Sequence, residues 1–351
     1  MFFALKVCFL FLIQAFFLAH SAPNDCQPDE KYIRLDQCPH VYNTEMTGLM
    51  RREYGIDYFQ YLGPQKICCP KPGNELPNTY ICGRSPAGYR IARGQETSPN
   101  EFPWMAMLLY MNNTSMEIIP SCAGSLINNR YVLTAAHCLS NMPDALTLKS
   151  VRLGEHNIWE TPFNRWECSD RSLRCAVPHI DVDVEKSFVH GRYKKGAQRL
   201  MQHDIALLRL KMPVRFSKGI RAICLLRDHP ALTNARLEIA GWGKMENGWF
   251  SEVLRRGDVT EVHPNRCSEM FLHLQFNFKT QICARGRNDV DTCSGDSGGP
   301  LMATMKGYHT EFVYQVGITS FGHSTCGTIG YPAVYTKTKA FFNWIVRRMK
   351  A

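Results

Sequence analysis

Three short segments, far apart in the chain, supply the side chains of one chemical device. They are Thr134-Ala135-Ala136-His137-Cys138, His203-Asp204-Ile205-Ala206-Leu207-Leu208, and Asp291-Thr292-Cys293-Ser294-Gly295-Asp296-Ser297-Gly298-Gly299-Pro300. A serine hydroxyl is a poor nucleophile near neutrality and needs a base within hydrogen-bond reach. His137 can take the Ser297 proton and return it to a leaving amine. Asp204 can fix the histidine tautomer and stabilise the imidazolium that forms. The glycines around Ser297 permit a tight turn, so the N–H groups of Gly295 and Ser297 can converge on a developing oxyanion. One such donor is worth about 2.7–4 kcal/mol of barrier. The bland alternative is a glycine-rich turn with a structural serine and two unrelated core residues. It requires all three segments to mislead together.

These segments resemble the trypsin-like serine proteases, and the resemblance runs from about Ile91 to the C-terminus. It implies an all-β domain over 91–351: two six-stranded antiparallel β-barrels, an active site in the cleft between them, and a C-terminal helix. Local patterns agree. Ala206–Leu210 reads as a buried strand and Val334–Lys337 as a half-buried one. Lys339 to Met349 carries an apolar helical stripe. Pattern alone does not give the barrel topology.

Residues 5–18 are almost wholly apolar, with Lys6 near the start. A core of about 14 residues is short for a bilayer and typical of a signal peptide. Ala19-His20-Ser21 places the cut after Ser21, or else after Ala22. Residues 1–21 are therefore read as a signal peptide and the mature protein as secreted, extracellular and without a membrane span. Cysteine usage points the same way. Of 15 cysteines, Cys8 leaves with the leader, and the remaining even number suits disulfides in an oxidising compartment. Structural zinc competes, but no paired short-spaced ligand motif is present. The net charge of +10 reads as a solvated basic surface, with anionic partners as the alternative. No arginine-rich run or nucleic-acid motif occurs, which speaks against nucleic-acid binding.

The resemblance extends to Tyr89-Arg90-Ile91-Ala92-Arg93-Gly94, which is similar to the activation site of the family. Cleavage after Arg90 would free the Ile91 ammonium to pair with Asp296, and a buried unpaired carboxylate gives that pairing its drive. The family usually shows Ile-Val-Gly-Gly here. Ala92 is smaller than valine, and Arg93 either strains the turn or points to solvent. Cuts after Arg84 or Arg93 would not create an apolar isoleucine terminus. Asp291, six residues before Ser297, stands where the family holds a carboxylate at the base of the primary pocket. It would attract an Arg or Lys side chain. Ser320-Phe321-Gly322 matches one pocket wall. Ala333 replaces the usual glycine and would narrow the pocket. Pro332 replaces a tyrosine associated with sodium activation in some relatives, which argues against a sodium site.

Residues 26–70 are too short and cysteine-rich for an ordinary core, and read as a disulfide-stapled module. They resemble the clip domain of arthropod serine proteases. That domain has six cysteines in three bridges, whereas this segment has four, with Tyr32 where the second is expected. The resemblance implies Cys26–Cys68 and Cys38–Cys69, one whole bridge being lost; a generic propeptide is the plainer alternative. Residues 71–90 form a linker and activation segment. The family also implies Cys82–Cys224, Cys122–Cys138, Cys267–Cys283 and Cys293–Cys326, which leaves Cys168–Cys175 as an extra local bridge. Leu153-Gly154-Glu155-His156-Asn157 starts a loop that binds calcium in some relatives. Glu155 and Asn157 are candidate ligands, with Glu160 or Asp170 later; a solvated loop is the alternative, and no other cofactor is required. Asn112-Asn113-Thr114-Ser115 contains two overlapping glycosylation sequons, of which at most one is expected to be used.

The resemblance implies a secreted serine endopeptidase zymogen of an extracellular cascade, of the innate-immune, Toll or prophenoloxidase type. It would cut after Arg or Lys in a downstream zymogen or cytokine precursor. Its other partners would be an upstream activating protease and a serpin-type inhibitor. A digestive trypsin would lack the tethered cysteine module. The other alternative is a weakly active or non-catalytic regulator; such homologues usually lose the serine, and Ser297, His137 and Asp204 are all present.

Overall fold

The computed structural model describes residues 26, 30–34, 38, 66–71, 73–85, 96–158, 168–169, 174–175, 179–194, 201–232, 235–245, 248–286, 295–306, 311–322 and 330–349. The chain divides into two units, 1–72 with 212–214, and 73–211 with 215–351.

In the first unit, β1 (Glu30–Arg34) and β2 (Lys66–Pro70) pair antiparallel, with Tyr32 opposite Cys68. A lone two-stranded ribbon is marginal in water. Here the disulfides Cys26–Cys68 and Cys38–Cys69 staple it. Loops of this size each lose about 3.5–4 kcal/mol of unfolded-chain entropy on closure. Tyr32 receives the Lys66 ammonium 5.8 Å from its ring centroid.

The second unit holds two closed barrels. The first uses β3 (Met105–Asn112), β4 (Ile118–Leu126), β5 (Tyr131–Thr134) and β6 (Leu146–Leu153). A separate ribbon follows, β7 (Cys168–Ser169) and β8 (Arg174–Cys175), with Cys168 opposite Cys175 in register. Then β9 (Ile180–Val189) and β10 (Ala206–Leu210) complete the barrel, in the order β10-β5-β4-β3-β6-β9. The second barrel uses β11 (Leu237–Gly241), β12 (Arg255–Glu261), β13 (Gln281–Gly286), β14 (Pro300–Lys306), β15 (Glu311–Phe321) and β16 (Ala333–Lys337). Its order is β11-β12-β13-β16-β15-β14, and all pairs are antiparallel. Closure removes exposed strand edges.

β3 is buried on both faces from Met105 to Tyr110, so it lacks the alternation of a half-exposed strand. Leu108, Leu126, Leu133, Val151 and Leu207 are fully buried in the first barrel. Each such side chain contributes about 1.5–3 kcal/mol. β10 is buried as its sequence suggests. β16 differs from the expected half-buried strand: Ala333–Thr336 are all buried, because the strand lies between β13 and β15.

Polar contacts join the barrels. Ser125 Oγ donates to Gln315 Oε1 (2.6 Å), and Trp104 Nε1 points at Met302 Sδ (3.2 Å). Among the described residues, three α-helices complete the unit: α1 (His137–Ser140), α2 (Pro264–Met270) and α3 (Thr338–Arg348). α3 buries Thr338, Phe341 and Ile345, at helical spacing, and ends on Arg347 and Arg348. Cations there favour the helix dipole by about 0.3–1 kcal/mol. The linker is held along this unit. Cys82 bonds Cys224, Gly83 exchanges backbone hydrogen bonds with Ala222 and Val313, and Asn128 Nδ2 donates to the Gly73 and Glu75 carbonyls. Among the described residues, no helix is long and apolar enough to cross a membrane.

Candidate active site

His137 opens the single turn of α1, and Cys138 beside it bonds Cys122 of β4. This fixes the His137 backbone against the first barrel. Asp204 is fully buried just before β10. Its Oδ2 lies 2.8 Å from His137 Nδ1, and its Oδ1 accepts the His137 backbone N–H at 2.9 Å. Ser320 Oγ donates to Oδ2 at 2.5 Å, and Thr336 Oγ1 donates to the Asp204 carbonyl at 2.9 Å. His203 adopts a left-handed conformation (φ 58°), a region in which His is enriched among non-glycine residues. The turn it makes closes with Ile205 N–H on the His203 carbonyl (2.8 Å) and sets the direction of Asp204.

Burial opposes a charge on His137, but Asp204, by charge and by hydrogen bond, outweighs it and raises the histidine pKa. The neutral imidazole then presents its Nε2 lone pair while Nδ1–H is held by the carboxylate. Tyr193 stands close by, its hydroxyl accepting from Asn141 Nδ2 at 2.9 Å. Burial, with the negative charge of Asp204, pushes its pKa up to about 12.

The Ser297 loop is fastened to the same place. The Ser297 carbonyl accepts the Ala123 N–H at 2.8 Å, and Cys138 Sγ lies 3.6 Å from that carbonyl oxygen. Gly298 N–H donates to Thr319 O, one residue before Ser320, which holds Asp204. Gly298 has φ 83°, and a Cβ there would overlap Thr134 Oγ1 and the Ala123 carbonyl. The serine loop therefore abuts the strands that carry His137. Gly295, proposed from sequence as an oxyanion donor with Ser297, takes φ 104°, open to glycine alone in practice.

Asp296 faces the other way, toward the second barrel. Its Oδ1 accepts the Gly243 N–H at 2.8 Å, and its carboxylate fills the space where Cβ atoms of Gly241 and Gly243 would lie. Of the residues expected to line the pocket, Gly322 and Ala333 are neighbours, a Cβ on Gly322 lying 3.7 Å from the Ala333 methyl, while Ser320 Oγ is bonded to Asp204. Arg90, Ile91, Asp291, Cys293, Cys326, Glu160 and Asp170 lie outside the described residues, as do residues 1–25 and the side chains of Cys168 and Cys175. Cys267 bonds Cys283.

The candidate calcium ligand Glu155 is already engaged by protein donors. Glu155 Oε1 accepts the His156 N–H at 2.9 Å, while Oε2 accepts from Arg152 Nη1 and lies 3.2 Å from His179 Nδ1. Both oxygens already face donors, one a guanidinium, and calcium usually takes six to eight oxygens. These contacts favour the solvated-loop alternative for Glu155. Cys122, His137 and Cys138 also cluster, but both sulfurs are in a disulfide. The sequons sit at the β3–β4 hairpin. Asn112 Oδ1 accepts from Thr114 N and Ser115 N, and the exposed Asn113 donates through Nδ2 to Thr147 Oγ1 at 3.0 Å.

Sequence reasoning placed Ser320 in the pocket wall and missed its bond to Asp204; it also missed Thr336 and Tyr193. No local motif pairs residues so distant in the chain.

This geometry joins an imidazole, a buried carboxylate and a serine loop across two barrels. The family model described as Trypsin matches residues 91–345. The chain belongs to the trypsin family and is a serine endopeptidase. Its similarities extend to insect clip-domain enzymes. It is 37% identical to the Spaetzle-processing enzyme of Drosophila melanogaster, over 92% of this chain and 90% of that protein. It is 38% identical to Phenoloxidase-activating factor 1 of Holotrichia diomphalia, over 89% of each. The crystal structure of the Drosophila Grass clip serine protease of the Toll pathway matches with TM-score 0.63 and 30% identity, covering 92% of this chain and 95% of that one.

Proposed function

We propose that the chain is a secreted zymogen of an extracellular proteolytic cascade, activated by cleavage after Arg90 and cutting its own substrate after Arg or Lys. In this reading residues 1–21 direct secretion, 26–70 form a clip-like docking module, and 71–90 link it to the protease. Ser297 attacks the scissile carbonyl, His137 takes its proton and passes it to the leaving amine, and Asp204 holds the imidazole. The N–H groups of Gly295 and Ser297 receive the oxyanion. The observation that carries the reading is the Ser320–Asp204–His137 chain of hydrogen bonds beside the fastened Ser297 loop.

Activation after Arg90 has support in chain reach. Glu96 bridges Arg255, and Arg255 pairs with Gly241, which touches the Asp296 carboxylate. Two antiparallel steps and that contact span about 13 Å. Five residues, 91–95, reach at most ~17 Å, enough for an Ile91 terminus. A cut after Arg93 leaves two, about 7 Å, which is too short. The reach therefore favours the bond that also yields an apolar terminus.

Asp291 would receive the basic side chain, with Ala333 narrowing the pocket. The substrate is a downstream zymogen or cytokine precursor. An upstream protease activates the chain, and a serpin-type protein stops it. The names of the relatives favour such a cascade. Asn112 or Asn113, on the same hairpin, is the glycan acceptor. The test is cleavage after Arg90 followed by assay on matched Arg, Lys and Phe peptides. Hydrolysis after Arg or Lys that vanishes in Ser297→Ala is expected; silence despite a correct Ile91 terminus would overturn the reading.

A further inference from the structure

The segment that precedes β3 crosses from the second barrel to the first, and one buried ion pair fastens it. Arg256 Nη1 lies 2.7 Å from Glu101 Oε1, and both side chains are under 8% exposed, at 6% and 7%. Glu238 lies 4.0 Å from the same guanidinium nitrogen. Glu101 Oε2 accepts the Ser98 N–H at 2.9 Å, closing a turn whose Asn100 takes φ 64°. Upstream of that turn, Thr97 bonds Leu254 O through both its N–H and its hydroxyl, and His156 Nε2 lies 2.9 Å from Thr97 O. Ser85, the last described residue before the cleavage site, donates its hydroxyl to the Glu101 carbonyl at 2.6 Å. Both flanks of 86–95 therefore meet at Glu101.

Such a pair is a poor source of net stability, because desolvating two charges costs about what their attraction returns. Burial indeed holds the Glu101 pKa above its ordinary value, against the lowering by the Ser98 N–H and Arg256. What a buried pair supplies well is a fixed geometry. Arg256 stands opposite Ala240 on β11, one residue from Gly241, which lines the Asp296 carboxylate. The pair thus fixes the start of the activation segment relative to its target.

We propose that Glu101 and Arg256 are positioning residues for zymogen activation: their pair is the pivot from which the new Ile91 terminus reaches Asp296. The inference rests on the activation reading above. In cleaved enzyme the terminus exchanges between inserted and free states, and a loose pivot costs the inserted state the entropy of ordering residues 91–98. The pair touches neither substrate nor Ser297, so it acts through the terminus alone.

The test uses full-length chain cleaved to completion after Arg90, as wild type, Asp296→Asn, and the doubly neutral Glu101→Gln/Arg256→Met. Cyanate modification of the Ile91 amine, read by intact mass, reports the free state. The double variant is expected to react about 3- to 30-fold faster than wild type, the range of coupling changes from mutations off the site. The alkaline limb of kcat/KM, set by the Ile91 ammonium, is expected to move down in pH while the acid limb stays. A wild-type modification rate and an unmoved alkaline limb would overturn the pivot. Should the double variant fail to fold, Glu101→Asp withdraws the carboxylate by one methylene; faster modification supports the pivot and a wild-type rate overturns it. Equal rates in wild type and Asp296→Asn would instead overturn the activation reading itself.

Discussion

Removing the Ser320 hydroxyl should weaken the site in two measurable ways. Asp204 is wholly buried, and its carboxylate accepts from His137 N, His137 Nδ1 and Ser320 Oγ. Ser320→Ala deletes the shortest of them and leaves a buried charge with one donor fewer. A hydrogen bond to a charged group contributes about 1.5–3 kcal/mol. For a unit of this size that lowers the thermal midpoint by roughly 3–12 °C. The carboxylate, with one donor fewer, bears more charge toward His137, so the acid limb of kcat/KM should move to higher pH. The assay pairs a melt of the uncleaved chain with a pH–rate profile of the cleaved enzyme on an Arg amide. An unchanged midpoint together with an unchanged acid limb would refute the reasoning, since the hydroxyl would then do nothing for Asp204.

Gly243→Ala should impair activation, because its Cβ would overlap the Asp296 carboxylate. Overpacking costs about 1–3 kcal/mol, hence roughly 5- to 150-fold in kcat/KM after cleavage, measured on an Arg peptide. Ala333→Gly should widen the pocket and raise kcat/KM on Arg peptides up to about tenfold, near the lower end of what one methylene decides. The acid limb of the wild-type profile should lie above the ordinary histidine value, because Asp204 raises the His137 pKa beyond what burial takes away. The linked stabilisation is complete below about pH 6.5 and is lost as pH rises through the folded value, a slope that stability measurements across that window should show. Asp204→Asn should remove both and lower kcat about 10⁴-fold.

The sequence carried the chemistry more clearly than the architecture. The His137, Asp204 and Ser297 segments were visible because nucleophile chemistry demands unusual local contexts. β10 and α3 were visible because their apolar spacing is regular over a whole element. Barrel closure was not: β3 and β16 are buried on both faces, so their period carries no sign of which strand they pair with. The fold came from resemblance. The partners of Asp204 were hidden for a related reason. Ser320 and Thr336 lie more than 100 residues away, and only the register of β15 with β16 brings them to it. The Glu101–Arg256 pair spans 155 residues and looks in sequence like two ordinary surface charges. Glu155 shows the opposite case, a residue whose sequence setting left two readings open. Its loop resembled a calcium site, but Arg152 and His179 face its carboxylate.

The central claim is that His137, Asp204 and Ser297 become one working device only when cleavage frees Ile91. Reaction with an organophosphorus fluoride, followed by intact mass and peptide mapping, tests it most directly. A single adduct on Ser297, forming at least 100-fold faster after cleavage at Arg90 than before (roughly the worth of one oxyanion donor), is the predicted result. Equal rates before and after cleavage, or an adduct on any other residue, would contradict the claim.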